Sequence, residues 1–386
     1  MRVALVHDWL TGMRGGERCL ERIAALFPDA EIHTLVHVPG ATSPRIEALP
    51  IHASPLSGWP GIARHYRKAL ALMPWAIGRF DLDDYDFVLS THHAFAKAVH
   101  TRPDQPHLCY CFTPMRYVWD QADAYLGRGP TRWLASPLVA ALRHYDRSKA
   151  APERVDRFVA ISHAVAGRIA RHYGREARVV FPPVEVGRFA LRDAARSDEY
   201  VLVGAFVPYK REQLAIEAFR GTSRRLVVVG DGPSQRRLAA AAPPNVRFVG
   251  RVDDETLSAL LGRARALIYP QEEDFGIVAV EAQACGTPVV AYRGGGALDT
   301  VVDAHDAKGT SAAAATGVFF DDATPASLRR ALDRFESIEA GFDAVAIRRH
   351  AERFAPEHFE TGLLEEITLL CKQSGREAPR AAAALR

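Results

Sequence analysis

Short apolar runs rich in β-branched residues alternate along this chain with longer stretches in which apolar positions recur every three or four residues. That rhythm marks βαβ units, in which buried parallel strands are joined by helices with one apolar face. It predicts strands at Val3 to Val6, Phe87 to Ser90, Leu108 to Cys111 and Phe158 to Ile161 in the first half. In the second half it predicts them at Tyr200 to Val203, Leu226 to Val229, Val246 to Val249, Ala266 to Tyr269, Pro288 to Ala291 and Val318 to Phe320. The fold class is therefore α/β with two sheets. Pro182 and Pro183 interrupt any regular element, and a fresh strand-helix series begins at Tyr200, which puts the division near Val184. The expected domains are 1–183 and 184–374, with the last helix crossing back to the first domain, and 375–386 forms a flexible tail.

A length of 386 residues supplies two cores, and 48% apolar with 25% charged residues is an ordinary globular balance. The formal charge of +3 is too small to suggest nucleic acid as a partner. One region is basic: Arg132 to Arg192 holds twelve Lys and Arg against five Asp and Glu. The five cysteines are scattered without paired CxxC knuckles, which fits reduced thiols in the cytoplasm. His7 and Asp8 interrupt the opening MRVALVHDWL before a signal-peptide core can form, and no stretch has the length of a membrane span.

The chemistry concentrates in Tyr269 to Gly296, YPQEEDFGIVAVEAQACGTPVVAYRGGG. A strand ends near Tyr269, an acidic loop runs from Glu272 to Asp274, and after Phe275 and Gly276 the residues Ile277, Val280 and Ala284 recur at helical spacing. Gly276 permits close backbone approach at a helix N-terminus, where free N–H groups and the dipole favour a phosphate. Glu273 precedes that helix and Glu281 lies inside it, so two carboxylates approach one crevice from different depths. A carboxylate facing a sugar accepts hydrogen bonds from hydroxyl pairs, so one is suited to a transferred sugar and the other to a ribose. Taken alone, the same residues also describe a solvated acidic loop followed by a helix-surface Glu.

These residues resemble the signature of the retaining glycosyltransferases of family 4: Glu273, Phe275, Gly276 and Glu281, followed by Gly286, Thr287, Pro288 and Val289. The resemblance implies a GT-B fold, two Rossmann-like domains with parallel sheets facing across a cleft. It also implies Glu273 on donor sugar hydroxyls, Glu281 on the nucleotide ribose, and Phe275, Gly276 and Ile277 at the donor. VGAFVPYKREQLAIEAF resembles the family's first donor-domain unit, with Lys210 placed to neutralise the leaving diphosphate. HDWLTGMRGGERCLERI resembles its acceptor-domain glycine loop, where Gly15 and Gly16 let backbone approach the donor phosphates. CYCFTPMRYVWDQADAYLG, LMPWAIGRFDLDDYDFVLSTHHAFAKAV and ISHAVAGRIARHYG resemble a narrower mannosyltransferase-like subgroup of O-antigen and exopolysaccharide assembly.

Three positions depart from that pattern. Gly204-Ala205 stands where Gly-Arg is usual, and Arg211, where Gly is common, is the candidate replacement for the missing guanidinium. Phe112 stands where the subgroup commonly has His near the sugar O6 and the reacting centre; either a nearby His such as His93 substitutes, or the donor sugar has less need of an O6 contact, or activity is reduced. Asp299 stands where Glu is usual.

Asp81 to Asp84 invites a metal reading but precedes its strand, so a solvated turn is expected and no metal is required. Gly230-Asp231-Gly232 begins a dinucleotide fingerprint that Gln235 breaks. Trp59 to Phe80 and Trp133 to Lys149 mix aromatic, aliphatic and basic residues, which suits either interfacial helices on an anionic membrane or amphipathic helices packed on the first domain. The resulting expectation is a hexosyltransferase using a nucleotide sugar, with GDP-mannose favoured and no cofactor. Its acceptor is a polyprenyl-diphosphate-linked oligosaccharide at the inner face of the cell membrane. A UDP-sugar transferase, a GT-B binding protein without turnover and a nucleotide-sugar epimerase are the alternatives.

Overall fold

The computed structural model describes residues 1–120, 130–191, 196–207, 210–304 and 312–381. The chain divides into two units, Met1–Pro183 with Pro356–Arg386, and Val184–Ala355.

The first unit carries a sheet of seven described strands: β1 (Val3–Leu10), β2 (Glu31–His37), β3 (Ile51–Ala53), β4 (Phe87–His92), β5 (His107–Cys111), β6 (Arg157–Ala160) and β7 (Ala177–Val179). Their order is β3-β2-β1-β4-β5-β6-β7 with parallel pairing throughout. Sequence periodicity misses β2, β3 and β7. In β2 the polar His33 and Thr34 interrupt the apolar run, yet both are buried. The His33 ring bonds to the Tyr85 hydroxyl at 3.1 Å, and burial pushes it down to about 4, so it is accommodated as a neutral ring. Strands β3 and β7 have three residues each, too few to show a period.

The second unit holds β8 (Glu199–Val203), β9 (Arg225–Val229), β10 (Val246–Gly250), β11 (Leu267–Tyr269), β12 (Val289–Tyr292) and β13 (Gly317–Phe320). Their order is β10-β9-β8-β11-β12-β13, again parallel. Its core joins Tyr200, Phe206, Phe219, Ile268, Val290 and Phe335. Each such fully buried side chain contributes about 1.5–3 kcal/mol.

The helix Pro356–Gln373 groups with the first unit. Phe359 packs edge-on to Tyr110 with centroids 5.4 Å apart, and Glu366 pairs with Arg157 at 2.7 Å. The beginning of the expected loose tail is tethered, since Arg376 reaches Asp104 at 2.6 Å and Pro379 is buried; residues 382–386 lie outside the described ones. All five cysteines are buried thiols.

Trp59 to Phe80 is not one amphipathic helix. It runs as short pieces, Ile62–His65, Tyr66–Leu72 and Met73–Ile77, because Gly61 adopts φ 75° and Pro74 lacks an N–H. Leu56, Ile62, Tyr66, Met73 and Ile77 enter the core, which leaves Trp59, Leu72 and Trp75 exposed. The second stretch is one helix, Pro130–Ser148, whose side chains are described from residue 136. Part of the basic region's charge is used internally: Arg157 and Arg178 pair with Glu366, and Arg175 donates to three carbonyls.

Candidate active site

Open parallel sheets bind ligands beyond the carboxyl ends of their strands, at the point where strand order reverses. In the second unit that point lies between β8 and β11. Lys210 and Arg211 follow β8, and Glu272 to Gly276 follow β11, so topology alone places them on the two loops that flank it.

Lys210 and Glu273 form an ion pair there, with side chains 17% and 18% exposed. Such partial burial reduces solvent screening of the pair. The other Glu273 oxygen accepts a 2.5 Å hydrogen bond from the hydroxyl of Tyr269, the last residue of β11. Arg211 stacks its guanidinium 4.3 Å from the Tyr292 ring centroid, donates to the Pro270 carbonyl at 3.4 Å and lies 3.9 Å from Glu272. At φ 56° it is the one non-glycine residue in the left-handed region among those described, a conformation that a side chain makes costly by about 1–2 kcal/mol.

Gly276 has φ 95°, and a Cβ there would lie 2.5 Å from the Tyr269 hydroxyl. The helix that follows, Ile277–Ala284, buries Ala279, Val280 and residues 282 to 284, while Ile277, Val278 and Glu281 are partly exposed on one face. Phe275 is buried and meets Phe354 edge-on. The turn after β12 clasps the acidic loop: Gly296 N–H donates to the Glu273 carbonyl at 2.8 Å, and a Cβ on Gly296 would stand 2.2 Å from the Phe275 Cα. Gly286 to Val289 holds the fold, with Thr287 donating to the Leu261 carbonyl at 2.7 Å. Ala205 is exposed on the loop after β8, and Asp299 lies in the short helix Ala297–Thr300.

In the first unit the order reverses between β1 and β4. Gly15 and Gly16 open the helix Gly15–Leu26 after β1, and His93 follows β4. Asp8 in β1 is fully buried and accepts the backbone N–H groups of His93, Ala94, Phe95 and Ala96 at 2.6–2.9 Å. It also meets His93 Nδ1 at 3.0 Å. Burial pushes the Asp8 carboxyl upward, but the charge and hydrogen bond of His93 prevail and hold it far below the usual carboxylate range. An imidazole tied through Nδ1 to a buried carboxylate presents Nε2 as its other edge. The Phe112 ring lies 6.3 Å from His93 and 6.5 Å from His7, and a Cβ on Gly16 would be 3.3 Å from it. His93 therefore shares a ring cluster with the position where His is usual.

Sequence reading missed Asp8, His7, Tyr269 and Tyr292. Asp8 and His7 were visible only as polar residues inside an apolar strand, and nothing in the sequence singled out the two tyrosines. Asp81 accepts the N–H of Asp83 at 3.1 Å, which closes a turn. Residues 121–129 of the subgroup-like stretch, and Pro208 and Tyr209 beside Lys210, lie outside the described residues.

Residues 187–354 match the family model described as glycosyl transferases group 1. The match lies wholly within the second unit. Over 231 residues the chain is 31% identical to a phosphatidyl-myo-inositol mannosyltransferase of Propionibacterium freudenreichii, covering 54% of this chain and 58% of that protein. It is 30% identical to the D-rhamnosyltransferase WbpZ of Pseudomonas aeruginosa, covering 46% and 49%. The alignments thus span about half the length of these curated relatives. Anabaena HepE in complex with UDP superposes with TM-score 0.69 at 16% identity, covering 96% of this chain and 100% of that one. The fold is GT-B, two α/β units each built on a parallel sheet.

Proposed function

We propose that the protein is a retaining glycosyltransferase that moves a hexose, with mannose from GDP-mannose as the first choice, onto a lipid-linked glycan. The observation that carries this reading is the Lys210–Glu273 pair at the strand-order reversal of a group 1 domain. In the proposed reaction Lys210 exchanges its carboxylate partner for the donor diphosphate, and Glu273, thereby released, accepts hydroxyls of the transferred sugar. Arg211 adds positive charge, the N-terminus of the helix Ile277–Ala284 faces phosphate, and Glu281 accepts the ribose hydroxyls. Gly15 and Gly16 admit the phosphates to backbone, and His93, oriented by Asp8, assists at the reacting centre. The acceptor hydroxyl attacks the anomeric carbon as the bond from that carbon to the diphosphate oxygen breaks on the same face, and its proton passes to the departing phosphate.

The mannosyl- and rhamnosyltransferase relatives support a surface-glycan product, and the UDP complex of HepE keeps UDP-sugars in the comparison. Exposed Trp59, Leu72 and Trp75, with Arg79 stacked 5.1 Å from the Trp75 ring, favour peripheral contact with an anionic membrane on the cytoplasmic side, where a lipid-linked acceptor lies. No described helix is long and apolar enough to cross one.

The test supplies GDP-mannose or UDP-glucose with a polyprenyl-diphosphate-linked oligosaccharide and measures elongated acceptor. The reading expects transfer that falls at least about a hundredfold in Glu273→Gln and Lys210→Met. Transfer unaffected by both substitutions, or donor conversion that needs no acceptor, overturns it.

A further inference from the structure

Glu212 opens the helix Glu212–Phe219 after β8 and is 3% exposed, yet its Oε1 has no hydrogen-bond partner. The backbone N–H groups of Glu212 itself and of Val207 lie near the carboxylate and favour its ionised form, while the Val207 N–H donates to the Ala205 carbonyl at 2.7 Å. Oε1 lies 3.9 Å from where a Cβ on Gly204 would stand, so it ends beneath the turn that leaves β8, on the loop that carries Lys210. A buried polar oxygen left unpaired costs about 1–3 kcal/mol, more when charged, and such an atom marks a place where a partner arrives.

The charge around it is asymmetric. Lys210, two residues away, favours the ionised form, but Lys210 is itself paired with Glu273, and Arg211 is directed toward Tyr292, Pro270 and Glu272. The helix Pro325–Ile338 packs alongside, but its Arg329 reaches only the far end, at the carbonyls of Glu217, Ala218 and Arg220. Burial dominates and pushes the Glu212 carboxyl up to about 7. An ionised Glu212 would repel a phosphate entering this loop, whereas the neutral acid offers it a donor.

We propose that Glu212 is a proton-linked ligand of the donor diphosphate: with nucleotide sugar bound it is held as the neutral acid, and its Oε1 donates to a phosphate oxygen. The proton comes from solvent, and the lone pair that accepts it stays on the carboxyl. Donor binding then takes up a proton wherever the ligand-free carboxyl is ionised. This rests on the donor reading above and adds to it a residue that the glycosyltransferase signature does not contain.

Calorimetric titration of the full chain with GDP-mannose or UDP-glucose, in buffers of different ionisation enthalpy, counts the protons taken up. Sugar diphosphates have no group of their own that titrates near neutrality. A ligand-free value of about 7 sets the expected uptake at roughly 0.9 proton at pH 8 and roughly 0.1 at pH 6, with affinity falling about tenfold between them. In Glu212→Gln the uptake disappears and affinity becomes flat with pH. Should that variant not fold, Glu212→Met, apolar and of similar length, takes its place. Donor binding with no uptake, or with the same uptake in wild type and variant, overturns the role of Glu212 and leaves the donor reading standing. Failure of both nucleotide sugars to bind overturns both readings.

Discussion

Gly276→Ala tests the joint that fixes Glu273. The residue sits at φ 95°, and an added Cβ meets the Tyr269 hydroxyl at 2.5 Å and its Cζ at 3.1 Å. The backbone conformation alone costs about 1–2 kcal/mol with a side chain. Tyr269 is 1% exposed and packed on β11, so its ring has little room to swing aside, which adds about 1–3 kcal/mol of overpacking. The single substitution is therefore expected to destabilise by about 2–5 kcal/mol. Tyr269→Phe removes the atom struck and forfeits its bond to the partly exposed Glu273, about 0.5–1.5 kcal/mol. In the double variant the clash is largely relieved and the backbone cost remains, so its destabilisation falls short of the sum of the singles by about 1–2 kcal/mol. Urea unfolding followed by far-UV circular dichroism, comparing the transition that shifts, measures this cycle. Additivity within about 0.5 kcal/mol would refute the reasoning, because it would mean that the methyl and the hydroxyl never compete for space.

Three further outcomes follow from the same physical arguments. The Lys97–Asp146 ion pair is 1% exposed on both sides, and Asp146 also accepts Trp119 Nε1 at 2.7 Å and the Tyr173 hydroxyl at 2.8 Å. Lys97→Met strands that carboxylate and should cost about 3–5 kcal/mol by urea unfolding, with at least half recovered when Asp146→Leu is added; equal loss in single and double would contradict this. His107 is fully buried between Ser90 and the Arg154 carbonyl, and burial pushes it down to about 4. The unfolded chain protonates first as pH falls, so the contribution of His107 is complete above about pH 6.5 and declines toward pH 4, by up to about 1.4 kcal/mol per pH unit; a His107→Gln protein with wild-type acid sensitivity would count against it. Arg211→Gly relieves left-handed strain while losing the Tyr292 stack, so stability should stay within about 1 kcal/mol of wild type while nucleotide-sugar affinity falls about threefold to tenfold. A large stability loss with unchanged affinity would reverse the assigned role.

The βαβ rhythm was legible because buried parallel strands are apolar on both faces: all six strands of the second sheet are visible as runs such as Leu226 to Val229. Strand β2 was not, because the polar His33 and Thr34 break its apolar run; His33 is buried against the distant Tyr85 hydroxyl, which a local window cannot see, and Thr34 turns its hydroxyl to the Val36 carbonyl. The segment from Trp59 to Phe80 kept its apolar composition but not its helix, since Gly61 and Pro74 divide it. At the candidate site, Glu273, Phe275, Gly276 and Glu281 stood out through fixed spacing along one strand-loop-helix unit. The partnership of Glu273 with Lys210 and Tyr269, and of His93 with Asp8, depends on which strands lie side by side. Glu212 remained hidden because an acidic residue in a first helical turn ordinarily faces solvent.

On the proposed reading, Lys210 and Glu273 form the place where an activated sugar binds. Titration calorimetry of GDP-mannose, with UDP-glucose in parallel, into the wild type and Lys210→Met tests it most directly. Loss of a charge-assisted contact to phosphate predicts affinity about 10- to 100-fold weaker in the variant, for whichever donor the wild type binds. Equal affinity in the two proteins would contradict the claim.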